Sequence, residues 1–163
     1  MKFIIQPLSY FGIFLIAVIF SGSPFLEGML QAATCESAVE ELNGMLQPKI
    51  DEAELVDILR SLDRTGNRHL PSKFVIKREA KAAGWRPGQN LWASRELRGK
   101  SLGGDRFGNY ERKLPNGSRK WREADLDYRG GRRGPKRLVF STDGLREVTV
   151  DHYQTFREVP ACQ

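Results

Sequence analysis

A chain of 163 residues with 40% hydrophobic and 28% charged side chains is long enough for one folded domain plus an extension, and too apolar for a disordered tail. Its formal net charge of +6 excludes an acidic, solvating role and points to a polyanionic partner: nucleic acid, an anionic membrane or an acidic protein. Most of the excess lies between Lys73 and Arg137, so the charge is focused on one part of the fold.

The N-terminus reads as an export signal. Lys2 is the only charge before Glu27, residues 11–20 form a continuous apolar run, and the small residues Ala32 and Ala33 lie beyond it. This predicts a signal peptide over residues 1–33, an N-terminal helical segment over 34–69 and a core over 70–163. A cut nearer residues 21–23, or an uncleaved anchor over residues 3–26, are the alternatives. The mature chain is expected in the periplasm or outside the cell. Export favours a disulfide between the two cysteines, Cys35 and Cys162, over two free thiols.

In chain order, residues 36–46 are a short helical candidate ended by Gln47-Pro48. A clearer helix follows, with Asp51 as its cap and Glu54 as a capping-box partner. Leu55, Ile58, Leu59 and Leu62 make an apolar stripe at helical spacing, and Gly66-Asn67 end it. Leu70-Pro71 turn the chain. Residues 72–83 include another short helix, with Gly84 at its C-terminal end. Lys77 lies near the start of that helix, where a lysine opposes the macrodipole; this hints at another purpose. Residues 85–100 read as irregular, anchored by Trp92 and Leu97.

From residue 101 the pattern changes to strands and turns. Gly103-Gly104 imply backbone freedom or close approach. Residues 107–111 read as a loop whose N–H groups, beside the Glu111 carboxylate, can read a base edge. Residues 114–118 have the composition of a hairpin turn. Over residues 121–128, period two places Glu123 and Asp125 on one face and Ala124 and Leu126 on the other. A half-buried strand with its carboxylates on the open face is the expectation. Strands follow over 137–141, 145–150 and 153–159, with His152 between the last two. Helices first and an antiparallel run afterwards give an α+β fold, with N-terminal helices packed on a C-terminal sheet.

There is no spaced His/Cys cluster for zinc, no Gly-rich strand-to-helix element for a triphosphate and no serine elbow. Metal-free acid–base chemistry without a cofactor, or simple binding, is what remains. A base-capable carboxylate beside Arg129, Arg132, Arg133, Lys136 and Arg137 is what phosphodiester cleavage through an RNA 2′-hydroxyl needs. A surface strand with paired, solvated charges is the alternative. His152, one of two histidines, is the first residue to consider where an acid is needed near neutral pH.

From Leu70 to Phe156 the chain resembles the barnase family of secreted, guanyl-preferring bacterial ribonucleases. The resemblance is carried by Leu70-Pro71, Lys77, Glu79-Ala80, Gly84-Trp85, residues 100–105, Lys113-Leu114-Pro115, Trp121-Arg122-Glu123-Ala124-Asp125 and Asp151-His152-Tyr153-Gln154-Thr155-Phe156. It implies the microbial ribonuclease fold and metal-free endonucleolytic cleavage of RNA after guanosine, through a 2′,3′-cyclic phosphate. It further implies Glu123 as general base, His152 as general acid, and Lys77, Arg133 and Arg137 as the cations around the phosphate. Asp125 is implied to hold the two arginines, Asp105 to support the lysine, and Tyr153 to flank the acid. Asn109 and Glu111 match the guanine-reading loop, in which Gly108 and Tyr110 depart from the family's serine and arginine. A small acidic inhibitor of the barstar type is an implied partner, and a monomer the simplest assembly. The alternatives are a basic RNA-binding module without catalysis, and the same nuclease used as an exported toxin.

Overall fold

The computed structural model describes residues 33–163. The expected signal segment, with its alternative cuts and the anchor reading, falls outside the described residues. Among the described residues no helix is long and apolar enough to cross a membrane.

The first two helices begin where the sequence supplies a cap. Helix α1 (Cys35–Met45) starts after Thr34, whose side chain accepts from the Ser37 N–H. Helix α2 (Glu52–Thr65) starts after Asp51, whose carboxylate accepts from the Glu54 N–H, and ends at Gly66 in the left-handed conformation. The expected capping box is only half formed. Glu54 does not reach back to the Asp51 N–H; its carboxylate takes the Asp127 N–H at 2.6 Å and Lys73 Nζ at 2.6 Å. The Asp51 N–H donates instead to Asp127 Oδ1 at 2.9 Å. A local motif has given way to a bond between distant parts of the chain.

Strand β1 (Phe74–Val75) leads into helix α3 (Lys77–Ala82). Strands β2 (Ser101–Phe107), β3 (Trp121–Asp125), β4 (Arg137–Ser141), β5 (Arg146–Thr149) and β6 (Arg157–Glu158) complete a six-stranded sheet in sequence order. The β1–β2 pair is parallel and the others are antiparallel. The fold is α+β. Two single-turn 3-10 helices, Leu91–Ala93 and Arg95–Leu97, occupy the stretch expected to be irregular.

One face of the sheet packs on α1 and α2. Val39, Leu42, Leu55, Ile58, Leu59 and Leu62 share a core with Leu126, Leu138, Phe140 and Val148. The apolar stripe of α2 is therefore core, and residues 34–69 help to build the domain. Gly103 fits this packing because a Cβ there would lie 2.5 Å from the Phe74 ring, and Gly104 takes φ +95 at a bulge in β2.

Three expectations change. Residues 114–118 are not a tight hairpin turn; they belong to a broad connection over residues 108–120, shaped by the Asn109 side chain. The last strand is Arg157–Glu158, not residues 153–159. The Asp151 carboxylate gathers the Gln154 N–H, the Thr155 N–H and hydroxyl, and the Thr149 hydroxyl, and this pulls the preceding residues into a loop. Finally, the carboxylates of β3 do not face open solvent, since Glu123 is 8% and Asp125 2% exposed.

Cys35 and Cys162 form a disulfide that joins residues 127 apart in sequence and fastens the C-terminus to α1. Constraint of the unfolded chain by a loop this long is worth up to about 4–5 kcal/mol. Replacing both cysteines by alanine is expected to lower the urea midpoint of unfolding by a large fraction of the total stability. An unchanged midpoint contradicts a stabilising role for the bond.

Candidate active site

The other face of the sheet carries the site. Register places Glu123 opposite Val139 and Asp125 opposite Arg137, so these residues share the face away from the helices. Trp121, Leu114 and Val139 form a small core beneath it, with Phe107, Tyr153 and Phe156 packed against them. A cavity of about 350 Å³ opens above, lined by Lys77, Glu123, Arg133, Arg137, His152 and Tyr153. Residues 108–111 line it too.

Lys77 arrives from the first turn of α3. No side chain of the helix's own N-cap, Ile76, caps it. Asp105 does so from β2, accepting the Lys77 N–H at 2.8 Å. That carboxylate at the helix N-terminus answers the unfavourable position of the lysine. The Lys77 ammonium then reaches Glu123 Oε1 at 2.7 Å, while the Tyr153 hydroxyl donates to Oε2 at 2.6 Å. Burial pushes the Glu123 carboxyl up. The hydrogen bonds from Lys77 and Tyr153, with the charges of Lys77 and Arg133, outweigh burial and hold it below its ordinary value. Burial and the Glu123 carboxylate push the Tyr153 hydroxyl well up, so it stays a proton donor.

Asp125 organises the arginines. Arg133 grips it with two parallel bonds, Nε to Oδ2 at 2.6 Å and Nη2 to Oδ1 at 2.5 Å. Burial works against the Arg133 charge, but Asp125 outweighs it and raises the guanidinium pKa. Arg137 Nε lies 3.0 Å from Asp125 Oδ1, within ion-pair range, yet its N–H makes no directed hydrogen bond. Its Nη1 donates to the Gly134 and Lys136 carbonyls, and the guanidinium sits 5.9 Å from the Tyr153 ring centroid. Two other cations of this loop are engaged elsewhere, Arg129 with Asp51 and Lys136 with Asp127. The loop is fixed at its start by Tyr128, whose hydroxyl donates to the Gly131 carbonyl at 3.0 Å and accepts from the Leu91 N–H at 2.8 Å.

His152 and Tyr153 both take positive φ, at 59° and 69°. The loop that holds them is built by Asp151, whose hydrogen bonds outweigh its burial and keep its carboxyl at about 2. Thr149 accepts the Tyr153 N–H at 3.0 Å, and Lys113 Nζ donates to the Tyr153 carbonyl at 2.9 Å. Thr149, Asp151 and Lys113 are supporting residues that the sequence reading passed over, although Asp151 and Lys113 lie inside the motifs it quoted. The spacing of Asp151 to Thr155 is a side-chain turn signal that could have marked the loop.

In the 107–111 loop, Asn109 is buried and turned inwards. It donates to the Leu114 carbonyl and to Asn116 Oδ1, both at 2.8 Å, and accepts the Leu114 N–H at 3.1 Å. Its side chain shapes the loop and is not free to meet a base. Glu111 is exposed and pairs with Lys113 at 2.7 Å. Tyr110 is 93% exposed, and its ring lies so close over Gly108 that a Cβ there would fall 2.3 Å from it. The two departures from the family pattern are therefore coupled: glycine at 108 lets the tyrosine fold across.

Comparison with known proteins agrees with this geometry. A family model described as ribonuclease matches residues 60–160. A ribonuclease of Bacillus intermedius is 35% identical over 154 residues, covering 88% of this chain and 90% of the relative. A ribonuclease of Heyndrickxia coagulans is 44% identical over 93 residues, covering 56% of this chain and 84% of the relative. One from Bacillus pumilus is 44% identical over 93 residues, covering 56% and 57%. The chain belongs to the barnase-like ribonuclease family and is an RNA-cleaving enzyme.

Proposed function

We propose that this protein is an exported endoribonuclease that cuts single-stranded RNA after guanosine by metal-free transphosphorylation. The observation that carries the reading is Glu123, held as a carboxylate beside Lys77, Arg133 and Arg137 in a cavity that His152 also lines. Glu123 takes the proton of the ribose 2′-hydroxyl, and the freed oxygen attacks phosphorus. The P–O5′ bond breaks as His152 gives its proton to the departing oxygen, leaving a 2′,3′-cyclic phosphate. In the second step His152 takes a proton from water, the hydroxide opens the ring, and Glu123 returns its proton to the 2′-oxygen. Each transfer can contribute ~10²–10⁴-fold. DNA lacks the attacking hydroxyl and is not cut this way.

Electrostatics supports this division of labour. Lys77, Arg133 and Arg137 face the Glu123 and Asp125 carboxylates, which leaves one positive charge where one phosphodiester must sit. Charge that grows on the phosphorane oxygens meets donors already in place, the Lys77 ammonium and the Arg133 and Arg137 guanidiniums that line the cavity. The lowered Glu123 is a weak base while Lys77 holds it. An arriving phosphate competes for the lysine, and Glu123 becomes more basic as the substrate binds. Beside the Glu111 carboxylate, Tyr110 offers an exposed ring for base stacking, an interaction worth ~1–3 kcal/mol per base on aromatic platforms. The disulfide fits an oxidising compartment outside the cytoplasm. A basic cleft of this kind also suits a small acidic inhibitor that mimics phosphate.

Incubation of single-stranded RNA with excess chelator is expected to give cyclic-phosphate ends after guanosine. Glu123→Ala and His152→Ala are each expected to lose at least about 10²-fold. Salt-sensitive RNA binding without cleavage by the unaltered protein contradicts the mechanism and favours a binding module. A second test reads pH. Because Lys77 lowers Glu123, the acid limb of kcat/KM lies below the usual glutamate range and rises in Lys77→Ala. The acid limb of kcat, which reports the complex, lies above that of kcat/KM. An acid limb that does not move in Lys77→Ala removes the lysine from control of the base.

A further inference from the structure

The antiparallel register sets Arg106 of β2 directly opposite Arg122 of β3. Alternation puts both on the face away from Phe107 and Glu123. Like charges placed directly across a sheet are destabilising, so this pair is an unfavourable feature of the free protein. Among the described residues, neither Arg106 nor the exposed Lys120 beside it has a carboxylate partner. Arg122 makes one bond, at 3.4 Å, to the Arg68 carbonyl. Arg119 differs, since Asp143 neutralises it at 2.6 Å. The three uncompensated cations line a groove of about 800 Å³ with Ile76 and Trp121 at its walls. Arg106, Phe107, Gly108 and Asn109 line both this groove and the catalytic cavity, so the two meet across the end of β2.

We propose that the groove is a second RNA-binding site, in which Arg106, Lys120 and Arg122 hold backbone phosphates of a strand that continues out of the cleft. The proposal rests on RNA cleavage at the Glu123 cavity. Three exposed cations, with Trp121 buried and Phe107 half-buried beside them, suit a phosphate track, which reads charge and not sequence. Counterion release adds affinity for longer strands, and bound phosphates remove the repulsion between the two arginines. The enzyme thus favours long RNA over dinucleotides through contacts far from the reacting atoms.

The test compares a guanosine-containing dinucleotide with a single-stranded oligonucleotide of about twelve nucleotides, on the unaltered enzyme and on K120Q/R122Q. Arg106 is left in place because it also lines the cleft. For the variant, kcat/KM on the oligonucleotide is expected to fall roughly tenfold at low salt, with its log–log salt slope shallower by about 1.4, at about 0.7 per lost phosphate contact. The dinucleotide, too short to reach the groove, is expected to be cut at the same rate. In the unaltered enzyme the oligonucleotide is expected to show a steeper salt slope than the dinucleotide, a readout independent of the variant's folding. Equal slopes for the two substrates, or equal losses on both in the variant, overturn the proposal. Oligonucleotide kinetics untouched by the substitutions also overturn it and leave the groove to an acidic protein. Failure of the underlying reading looks different: the unaltered enzyme then cuts neither substrate.

Discussion

Burying a carboxylate is costly unless fixed cations surround it, and the candidate site is arranged around one such carboxylate. Asp125 is 2% exposed at the end of β3, with Arg133 bound through two parallel bonds and Arg137 beside it. The arginines are held by Asp125 but not used up by it. The forked grip leaves part of the Arg133 guanidinium free to line the cavity, and Arg137 lines it too. One buried group thus grips Arg133 and pairs with Arg137, whose Nη1 the Gly134 and Lys136 carbonyls also hold. Preorganised charge of this kind costs no rearrangement during the reaction, which is why it can stabilise developing negative charge better than water does.

The rest of the fold keeps the loop between β3 and β4 in register with Asp125. Asp127 ties its start to α2, through the Asp51 N–H and through its own N–H to Glu54. Tyr128 and Asn90 hold Gly131, so Arg133 has only a short path to Asp125. On the far side, Asp151 and Thr149 shape the loop that holds His152, and Lys113 links that loop to the connection over residues 108–120. The disulfide closes the frame by fastening α1 to the C-terminus. The N-terminal helices thus contribute to function through the packing that positions the arginine loop.

The elements with strong periodicity or caps were legible in the sequence. The α2 stripe, its start at Asp51 and its end at Gly66 follow from spacing and cap chemistry, and so does the alternation of Glu123 and Asp125. What was not legible depends on contacts between distant residues. Glu54 has the position of a capping-box partner, but a nearby Asp127 N–H and Lys73 claim its carboxylate. Residues 153–156 alternate like a strand, but the Asp151 carboxylate bends them into a loop. The loop over residues 107–111 was legible by composition, but the inward turn of the Asn109 side chain onto Leu114 and Asn116 was not. The burial of Glu123 and Asp125 was equally invisible, because it comes from aromatic residues and loops packed from elsewhere in the chain.

The central claim is that Asp125 holds the arginines for the phosphate, and Asp125→Asn measured for both stability and turnover tests it most directly. Removing one partner from a buried pair costs about 3–5 kcal/mol, so the variant is expected to unfold at markedly lower urea. Under conditions where it remains folded, kcat/KM is expected to fall at least about tenfold, as the arginines lose their alignment. A folded variant with unaltered turnover would contradict the account, since Arg133 and Arg137 would then hold their positions without the carboxylate.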